Sequence, residues 1–386
     1  MLPRVMRMFA PLLGKVPVGH LWYLARRLRN EKPHRFGKSV HVNTFYPPYP
    51  SPAYDRFIDN IVTRRRAPYS AYISAATACP WNCPHCSHGG RDGTVLSDDA
   101  ILLAIADLKQ VGACTVGFTG GEPLLRDSLE TLIRACAPEL SAIVFTSGAG
   151  LDPSRARSLK SVGVACVTIG VESSDAAEHD RVRGASGSFA QCMLAAKACA
   201  DAGLYLALST IATREKLATG ELERIYSLAR ELNAGELRVL SPVPTGSAAG
   251  CDQFCLTAEE RKAVADFHCR HNREPDGPAV AAFAYLESPE MFGCGAGYHH
   301  LYIDAFGNVC PCDLTPLSFG NLAERRLVDI YADMAEHFSR PRRQCIMRTI
   351  KMPAGPLPLS PAVSVSLCPK ATRFDPLPDG YRRLGI

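Results

Sequence analysis

The hydrophobic pattern between residues 71 and 241 alternates short apolar runs with longer amphipathic stretches. The runs have the composition of buried strands and cover Ala71–Ala75, Cys114–Thr119, Ala142–Thr146, Val164–Val171, Leu204–Ile211 and Glu236–Ser241. Candidate helix N-caps between them are Ser97, Asp127 and Asp152, and candidate helix stops are Gly112, Gly163 and Gly203. This alternation predicts an α/β fold, a partial (β/α)6 barrel whose functional residues lie at the carboxyl ends of its strands.

The pattern changes after residue 245. A Pro/Gly/Ser/Ala segment is followed by Thr257 and Glu260, which have the spacing of a helix capping box. The run LYIDAFGNVCPC predicts a β-hairpin that turns at Gly307, and a helix is expected over roughly Leu327 to Phe338. We therefore divide the chain into an irregular and helical extension (1–70), the barrel core (71–245) and a small hairpin-plus-helix domain (246–386).

Composition and charge exclude some function classes. The 386 residues are 47% hydrophobic and carry a formal net charge of only +5, so we predict no nucleic-acid partner. Prolines interrupt the first thirty residues, and no apolar run reaches the roughly 18 residues of a membrane span. This favours a helical extension packed on the barrel, with a peripheral membrane contact of the basic N-terminus as the alternative.

Sixteen cysteines need a chemical explanation. Disulfide scaffolds are short and secreted, whereas this chain is long and shows no signal peptide. Metal thiolates in a reducing cytoplasm are the better interpretation. The cysteines on strand and helix patterns, such as Cys114 and Cys199, are interpreted as core residues, and Cys251 and Cys255 give only a weak signal.

The segment CPWNCPHC places Cys79, Cys83 and Cys86 at C-x3-C-x2-C spacing directly after the first predicted strand. Three thiolates on a four-iron cluster leave one iron without a protein ligand, open to a bound cofactor. A zinc site with His85 or His88 as fourth ligand is the alternative.

Three further segments end successive strands. Thr119-Gly120-Gly121-Glu122-Pro123 follows the second strand, Thr146-Ser147-Gly148 the third, and VESSDAAEHDRVRGASGSF the fourth. With these motifs in this order, the chain resembles the radical S-adenosylmethionine (SAM) superfamily. The resemblance implies a [4Fe-4S] cluster that cleaves SAM reductively; it assigns no catalytic side chain. The implied SAM-site residues are His85, Gly120, Gly121, Glu122, Pro123, Ser147, Glu172, Ser173 and Arg183.

The C-terminal cysteines resemble a second cluster motif of the same superfamily. A cysteine followed by a Gly-x4-Cys hairpin and an FGNL segment is similar to the SPASM domain or its shorter twitch form, which holds auxiliary clusters. The full run of four closely spaced cysteines is absent, so one auxiliary [4Fe-4S] cluster is expected rather than two. The candidate ligands are Cys294, Cys310, Cys312, Cys345 and Cys368.

The resemblance implies an oxidoreductase that abstracts hydrogen in the maturation of a peptide, cofactor or natural product. It also implies a one-electron donor such as flavodoxin or ferredoxin. The enzyme alternative is a dehydrogenase, decarboxylase or epimerase of a small metabolite, tetrapyrrole or lipid. The alternative outside enzymes is an iron-sulfur or zinc scaffold or electron carrier, which would not need the strand-end motifs.

Overall fold

A nine-stranded sheet forms the centre of the computed structural model, which describes residues 7–353 and 356–385. With a preceding two-stranded hairpin, the strands in chain order are β1 His34–Phe36, β2 Ser39–His41, β3 Ser70–Ala76, β4 Thr115–Gly120, β5 Ser141–Thr146, β6 Cys166–Gly170, β7 Leu206–Ile211, β8 Glu236–Leu240, β9 Ala279–Ala282, β10 His300–Ile303 and β11 Val309–Cys310. The sheet order is β11-β10-β3-β4-β5-β6-β7-β8-β9, and every neighbouring pair is parallel except β10 with β11.

Helices connect the strands and cover the outside of the sheet. They are α1 Val18–Leu28, α2 Pro52–Val62, α3 Asp98–Val111, α4 Leu129–Cys136, α5 Pro153–Ser161, α6 Ala176–Arg183, α7 Ser188–Asp201, α8 Arg214–Ala218, α9 Glu221–Glu231, α10 Ala258–Arg273, α11 Phe283–Leu286, α12 Leu327–Asp333, α13 Pro361–Leu367 and α14 Asp379–Leu384. Strand side chains such as Ile73, Val116 and Phe118 are fully buried and pack with the helix faces in one large core.

The partial barrel, the hairpin and the C-terminal helix predicted from the sequence are confirmed, and each predicted strand ends within two residues of its observed bounds. Ser97 and Asp152 cap their helices by accepting backbone hydrogen bonds. The capping box of Thr257 is also present. The expectation for Asp127 is wrong by one residue, because α4 begins at Leu129 after Ser128.

The same sheet continues into the segment after residue 245. Strand β9 pairs with β8, and β10 pairs in parallel with β3, so the predicted hairpin is attached directly to the first barrel strand. The division at 245 stays a prediction.

The N-terminal segment packs at the amino ends of β3 and β4. Met8, Leu12 and Tyr54 are buried there against Cys114 and Leu384. These contacts agree with the prediction of a helical extension packed on the barrel, for residues 7–70. Residues 1–6 lie outside the described ranges. Within those ranges, no helix has the length and apolar character needed to cross a membrane.

Candidate active site

The loop after β3 carries Cys79, Cys83 and Cys86. Cys86 N donates to Cys83 O at 3.3 Å, which makes a tight turn between the second and third cysteine. Burial raises the pKa of Cys79 and of Cys83, and the neighbouring thiols raise both further. These thiols therefore lie close enough to interact electrostatically, and a bound metal would favour their thiolate forms.

The glycine pair after β4 lies directly against this loop. Gly121 N donates to Ala76 O at 2.7 Å and Glu122 N donates to Ala78 O at 2.8 Å, one residue before Cys79. Gly120 has a φ of +121°, and a Cβ on either glycine would overlap the carbonyls of the loop. Glycine is needed here because two backbone segments approach more closely than a side chain allows.

Glu122 is fully buried at the end of β4. Its carboxylate accepts hydrogen bonds from Thr146 Oγ1 at 2.6 Å, Ser147 N at 2.9 Å and Leu124 N at 3.2 Å, and also from Ser147 Oγ. Trp81 Nε1 donates to the same Ser147 hydroxyl. The carboxylate thus joins the ends of β4 and β5 to the cysteine loop, and Pro123 is buried in the turn that follows.

A buried ion network lies beside the second cysteine. Glu172 pairs with Arg183 at 3.0 Å, His85 at 3.3 Å and Lys216 at 3.7 Å. Burial, the largest single influence, raises the pKa of Glu172, but Arg183, His85 and Lys216 together hold it well below the ordinary value. Arg183 also donates to Cys83 Sγ at 3.5 Å, so the network touches the cysteine loop.

Ser173 faces a different carboxylate. Its hydroxyl donates to Glu221 Oε1 at 2.9 Å, and Ser174 N donates to the same oxygen at 2.7 Å. These bonds fix the loop after β6 to the start of α9.

Three of the expected C-terminal ligands share one buried region. Cys345 donates a hydrogen bond to Cys294, and this bond lowers the pKa of Cys294 below its ordinary value. Burial raises the pKa of Cys312 well above its ordinary value, and Cys294 adds to this rise. The backbones of Cys294 and Arg342 are bridged in both directions, so the segment before Cys345 is fastened to Cys294.

The other two expected ligands lie elsewhere. Cys310 is buried in β11 with its Sγ 3.9 Å from Arg91 Nη1, and burial raises its pKa to about 12. Cys368 follows α13 and donates to Pro369 O at 3.9 Å, while its carbonyl oxygen accepts from His337. Neither Cys310 nor Cys368 lines the cavity whose wall includes Cys294, Cys312 and Cys345.

A cavity of about 1210 Å³ lies inside the barrel. At the carboxyl ends of the strands its wall includes Ser87, next to Cys86, and Thr119, next to Gly120. Its wall also includes Cys294, Cys312 and Cys345. One continuous space therefore extends from the three C-terminal thiols to Ser87, the residue after Cys86.

The sequence matches the radical SAM superfamily over residues 73–219 and the SPASM iron-sulfur cluster-binding domain over residues 294–348. A PqqA peptide cyclase of Streptomyces rochei is 30% identical over 280 residues, which cover 69% of this chain and 76% of the relative. The chain belongs to the SPASM-containing radical SAM enzymes.

Other relatives of this radical SAM enzyme differ in the reaction their names describe. An AdoMet-dependent heme synthase of Nitratidesulfovibrio vulgaris is 28% identical over 294 residues, covering 69% of this chain and 79% of the relative. SuiB of Streptococcus suis, solved with its precursor peptide SuiA, superposes with a TM-score of 0.56 at 15% identity over 72% of this chain and 69% of SuiB. The last comparison concerns the fold alone.

Several residues around the cysteine loop of this radical SAM enzyme were not predicted from the sequence. Lys216 lies on the short helix α8 and completes the Glu172 network, and Trp81 binds Ser147 from within the cysteine loop. Each of these two residues lies far from its partner in the sequence, so no spacing motif links them. The tryptophan inside CPWNCPHC was the one available signal.

A second unpredicted group adjoins the C-terminal thiols of the radical SAM enzyme. The ligand-type atoms of His300, Cys312 and Asp313 all lie within 4.8 Å of one another. Glu287 is also close, because its charge raises the pKa of Cys312 and of Cys345. The polar surroundings of the three thiols therefore consist of side chains from β10, the hairpin end and the segment after α11.

Proposed function

We propose that Cys79, Cys83 and Cys86 hold the SAM-cleaving [4Fe-4S] cluster and that the segment Gly120 to Pro123 binds the methionine part of SAM beside it. The donor set suits this group, because three thiolates leave one iron open. The close packing of Gly120 and Gly121 against the segment just before Cys79 is the observation that carries the proposal, since it places the two motifs side by side. When bound, the cluster supplies the electron that yields a 5′-deoxyadenosyl radical, which abstracts hydrogen from substrate.

The remaining predicted SAM-site residues are proposed from the same geometry. Ser147 is held by Glu122 and Trp81, so it presents a fixed backbone at the end of β5. Arg183 contacts both Glu172 and Cys83, which supports placing this pair, with Ser173, near SAM. His85 is proposed to pack on adenine while its Nε2 pairs with Glu172.

For the auxiliary cluster we propose Cys294, Cys312 and Cys345 as ligands. All three line the cavity that also extends to Ser87, next to Cys86. Cys310 instead contacts Arg91, and Cys368 contacts Pro369. The substrate is proposed to lie in this cavity between the two clusters. There one end can meet the radical while the other meets an electron acceptor or anchor.

The proposed substrate is a peptide or a cofactor precursor. A volume of about 1210 Å³ exceeds the roughly 300–1,000 Å³ of most small-molecule pockets. The relative named PqqA peptide cyclase favours this class. The relatives named heme synthase favour the second candidate, a tetrapyrrole-modifying reaction.

Iron content and SAM cleavage test the proposal together. Anaerobically reconstituted protein should bind about eight irons per chain, and with dithionite and SAM it should slowly release 5′-deoxyadenosine. The triple variant Cys79→Ala, Cys83→Ala, Cys86→Ala should lose about half of the iron and all release. Stoichiometric zinc uptake, or cleavage products other than 5′-deoxyadenosine and methionine, would contradict it.

Partners and location are proposed from chemistry. A flavodoxin or ferredoxin would deliver the electron, and sixteen free cysteines favour a reducing compartment, the cytoplasm. A membrane contact is proposed through Leu13, Val18 and Trp22, which are 65%, 80% and 58% exposed on the basic N-terminal segment. Sedimentation with anionic vesicles should capture wild type and release Trp22→Ser; equal binding of both would refute this contact.

A further inference from the structure

Arg238 stands in the wall of the cavity although almost none of its surface is exposed. It lies in the middle of β8, is 2% exposed, and lines the cavity that extends from the C-terminal thiols to Ser87. A buried guanidinium is costly unless a counter-charge or a full set of acceptors surrounds it. The groups around Arg238 therefore indicate what kind of ligand would bind beside its guanidinium.

The groups that contact Arg238 are neutral. Nη1 donates to Thr44 Oγ1 and Nη2 donates to Tyr72 Oη at 3.2 Å. The guanidinium also lies 5.2 to 5.4 Å from the centres of three aromatic rings, those of Phe45, Phe145 and Phe283. Cation–π contacts and two hydroxyls satisfy part of the five-donor group but supply no negative charge.

No carboxylate closes this gap within residues 7–353 and 356–385, where the ion pairs within 4.0 Å do not include Arg238. Glu236 is two residues away on the same strand, yet its Oε1 accepts from Thr44 at 2.6 Å and its Oε2 has no partner. Burial raises the pKa of Glu236 to about 7, so this acid is only partly ionised at neutral pH. Thr44 bridges Glu236 and the guanidinium in place of a direct contact between them.

We propose that Arg238 binds a carboxylate of the substrate inside the barrel. Guanidinium and carboxylate match in planar, two-point hydrogen bonding, and the dry aromatic wall makes such a pair strong. The three rings would pack on the apolar or aromatic body that carries the acid. The proposal deepens the proposed function, on which it rests for the use of the cavity as a substrate site.

The N-terminal extension takes part in this site. Thr44 lies between Arg238 and Glu236, and Phe45 stacks on the guanidinium, so both come from outside the barrel strands. Residues 7–70 thereby supply one wall of the carboxylate site and keep Glu236 from pairing with Arg238.

Binding of an acid and its amide tests the proposal in the full reconstituted chain. We would measure 3-phenylpropionate and 3-phenylpropionamide by calorimetric titration against wild type, Arg238→Gln, Arg238→Lys and the control Arg343→Gln. Arg343 lines the same cavity and is half-buried, so its variant makes an equal charge change. Wild type should prefer the acid by about 10-fold or more, Arg238→Gln should lose this preference, and Arg238→Lys should keep part of it.

Two outcomes would overturn the assignment: an acid preference that survives in Arg238→Gln, or one that is lost in Arg343→Gln instead. If Arg238→Gln does not fold by circular dichroism, Thr44→Val serves in its place and should weaken the preference by misplacing the guanidinium. A porphyrin with free propionates against its methyl ester, and an acidic peptide against its amidated form, then distinguish the two sources of the carboxylate.

Failure of the proposed function gives a different result. If wild type releases no 5′-deoxyadenosine while the Arg238-dependent preference holds, the radical assignment fails and the carboxylate site stands. If SAM is cleaved and no acid preference exists, only the carboxylate site fails.

Discussion

Gly121→Ala should disable the SAM-cleaving site by adding a single methyl group. The backbone of Gly121 does not adopt a positive φ, so the substitution causes no conformational strain of its own. A Cβ at this position would lie 2.6 Å from Thr77 O and 2.7 Å from the carbonyl carbon of Ala78, and closer still to Ala78 O. Gly121→Ala therefore tests only the close approach of the Gly121 backbone to the segment before Cys79.

The magnitude follows from the overlap. Cβ atoms keep at least 3.0 Å from such neighbours, so the backbone before Cys79 must move by several tenths of an ångström or more. Overpacking of this kind costs about 1–3 kcal/mol of stability. The larger effect is positional: a shift of about 1 Å in a reacting group can cost roughly 100-fold in rate. We expect 5′-deoxyadenosine release to fall by at least about 10-fold.

The assay compares iron content, 5′-deoxyadenosine release under dithionite, and thermal unfolding. Gly19→Ala is the matched control, since a Cβ there meets nothing within 4 Å and alanine favours the helix α1. The control should behave as wild type or be slightly more stable. Wild-type iron content together with wild-type release in Gly121→Ala would show that the glycine pair does not set the position of the cysteine loop.

Three further predictions concern single side chains. Cys294→Ala should reduce bound iron by about half while Cys310→Ala keeps it, as measured by iron analysis and electron paramagnetic resonance; the reverse pattern would contradict the ligand assignment. Glu172→Gln should lower the free energy of unfolding by about 3 kcal/mol because it leaves buried cations unpaired. In Glu178→Gln, loss of the exposed ion pair with Arg181 should lower the free energy of unfolding by less than about 1 kcal/mol. Similar urea midpoints for Glu172→Gln and Glu178→Gln would refute the distinction. Burial raises the folded-state pKa of Glu236 from 4.5 to about 7, so the free energy of unfolding of wild type falls as the pH rises through this window. Glu236→Gln does not titrate, so its free energy of unfolding relative to wild type should increase by up to about 3 kcal/mol between pH 4.5 and 8. A constant difference across that range would be inconsistent with a buried, titrating acid.

The strands and the positions of the cysteine loop and the glycine pair could be predicted because their signals are local. A buried parallel strand is a short apolar run, and the glycine pair after β4 is required by backbone contact. β9 could not be predicted in the same way, because its four residues are too few to form a recognisable hydrophobic pattern. The attachment of β10 to β3 was also missed, because a pairing between residues 230 positions apart leaves no periodic trace in either segment.

Ligand choice among the C-terminal cysteines shows the same limit. Cys310 and Cys312 differ by two positions, which would place them on one face of a continuous strand. β11 ends at Cys310, however, and the chain turns there, so Cys310 faces the buried Arg91 while Cys312 enters the cavity. The deciding feature is where the strand stops, and strand ends are the part of a pattern that sequence defines least.

The barrel interior has an asymmetry that bears on how a substrate would enter. Near the carboxyl ends of the strands, Glu172 pairs with Arg183, and Glu122 accepts a hydrogen bond from Thr146. The cavity wall combines aromatic rings with Arg238, whose charge is not matched by contact. In the proposed carboxylate site, the acid of the substrate would lie at Arg238, and the rest of the molecule would extend toward Thr119, which lines the same cavity beside Gly120. An unreactive part of the substrate would thus supply the binding free energy, leaving the reacting carbon free to be positioned by the residues beside the cluster.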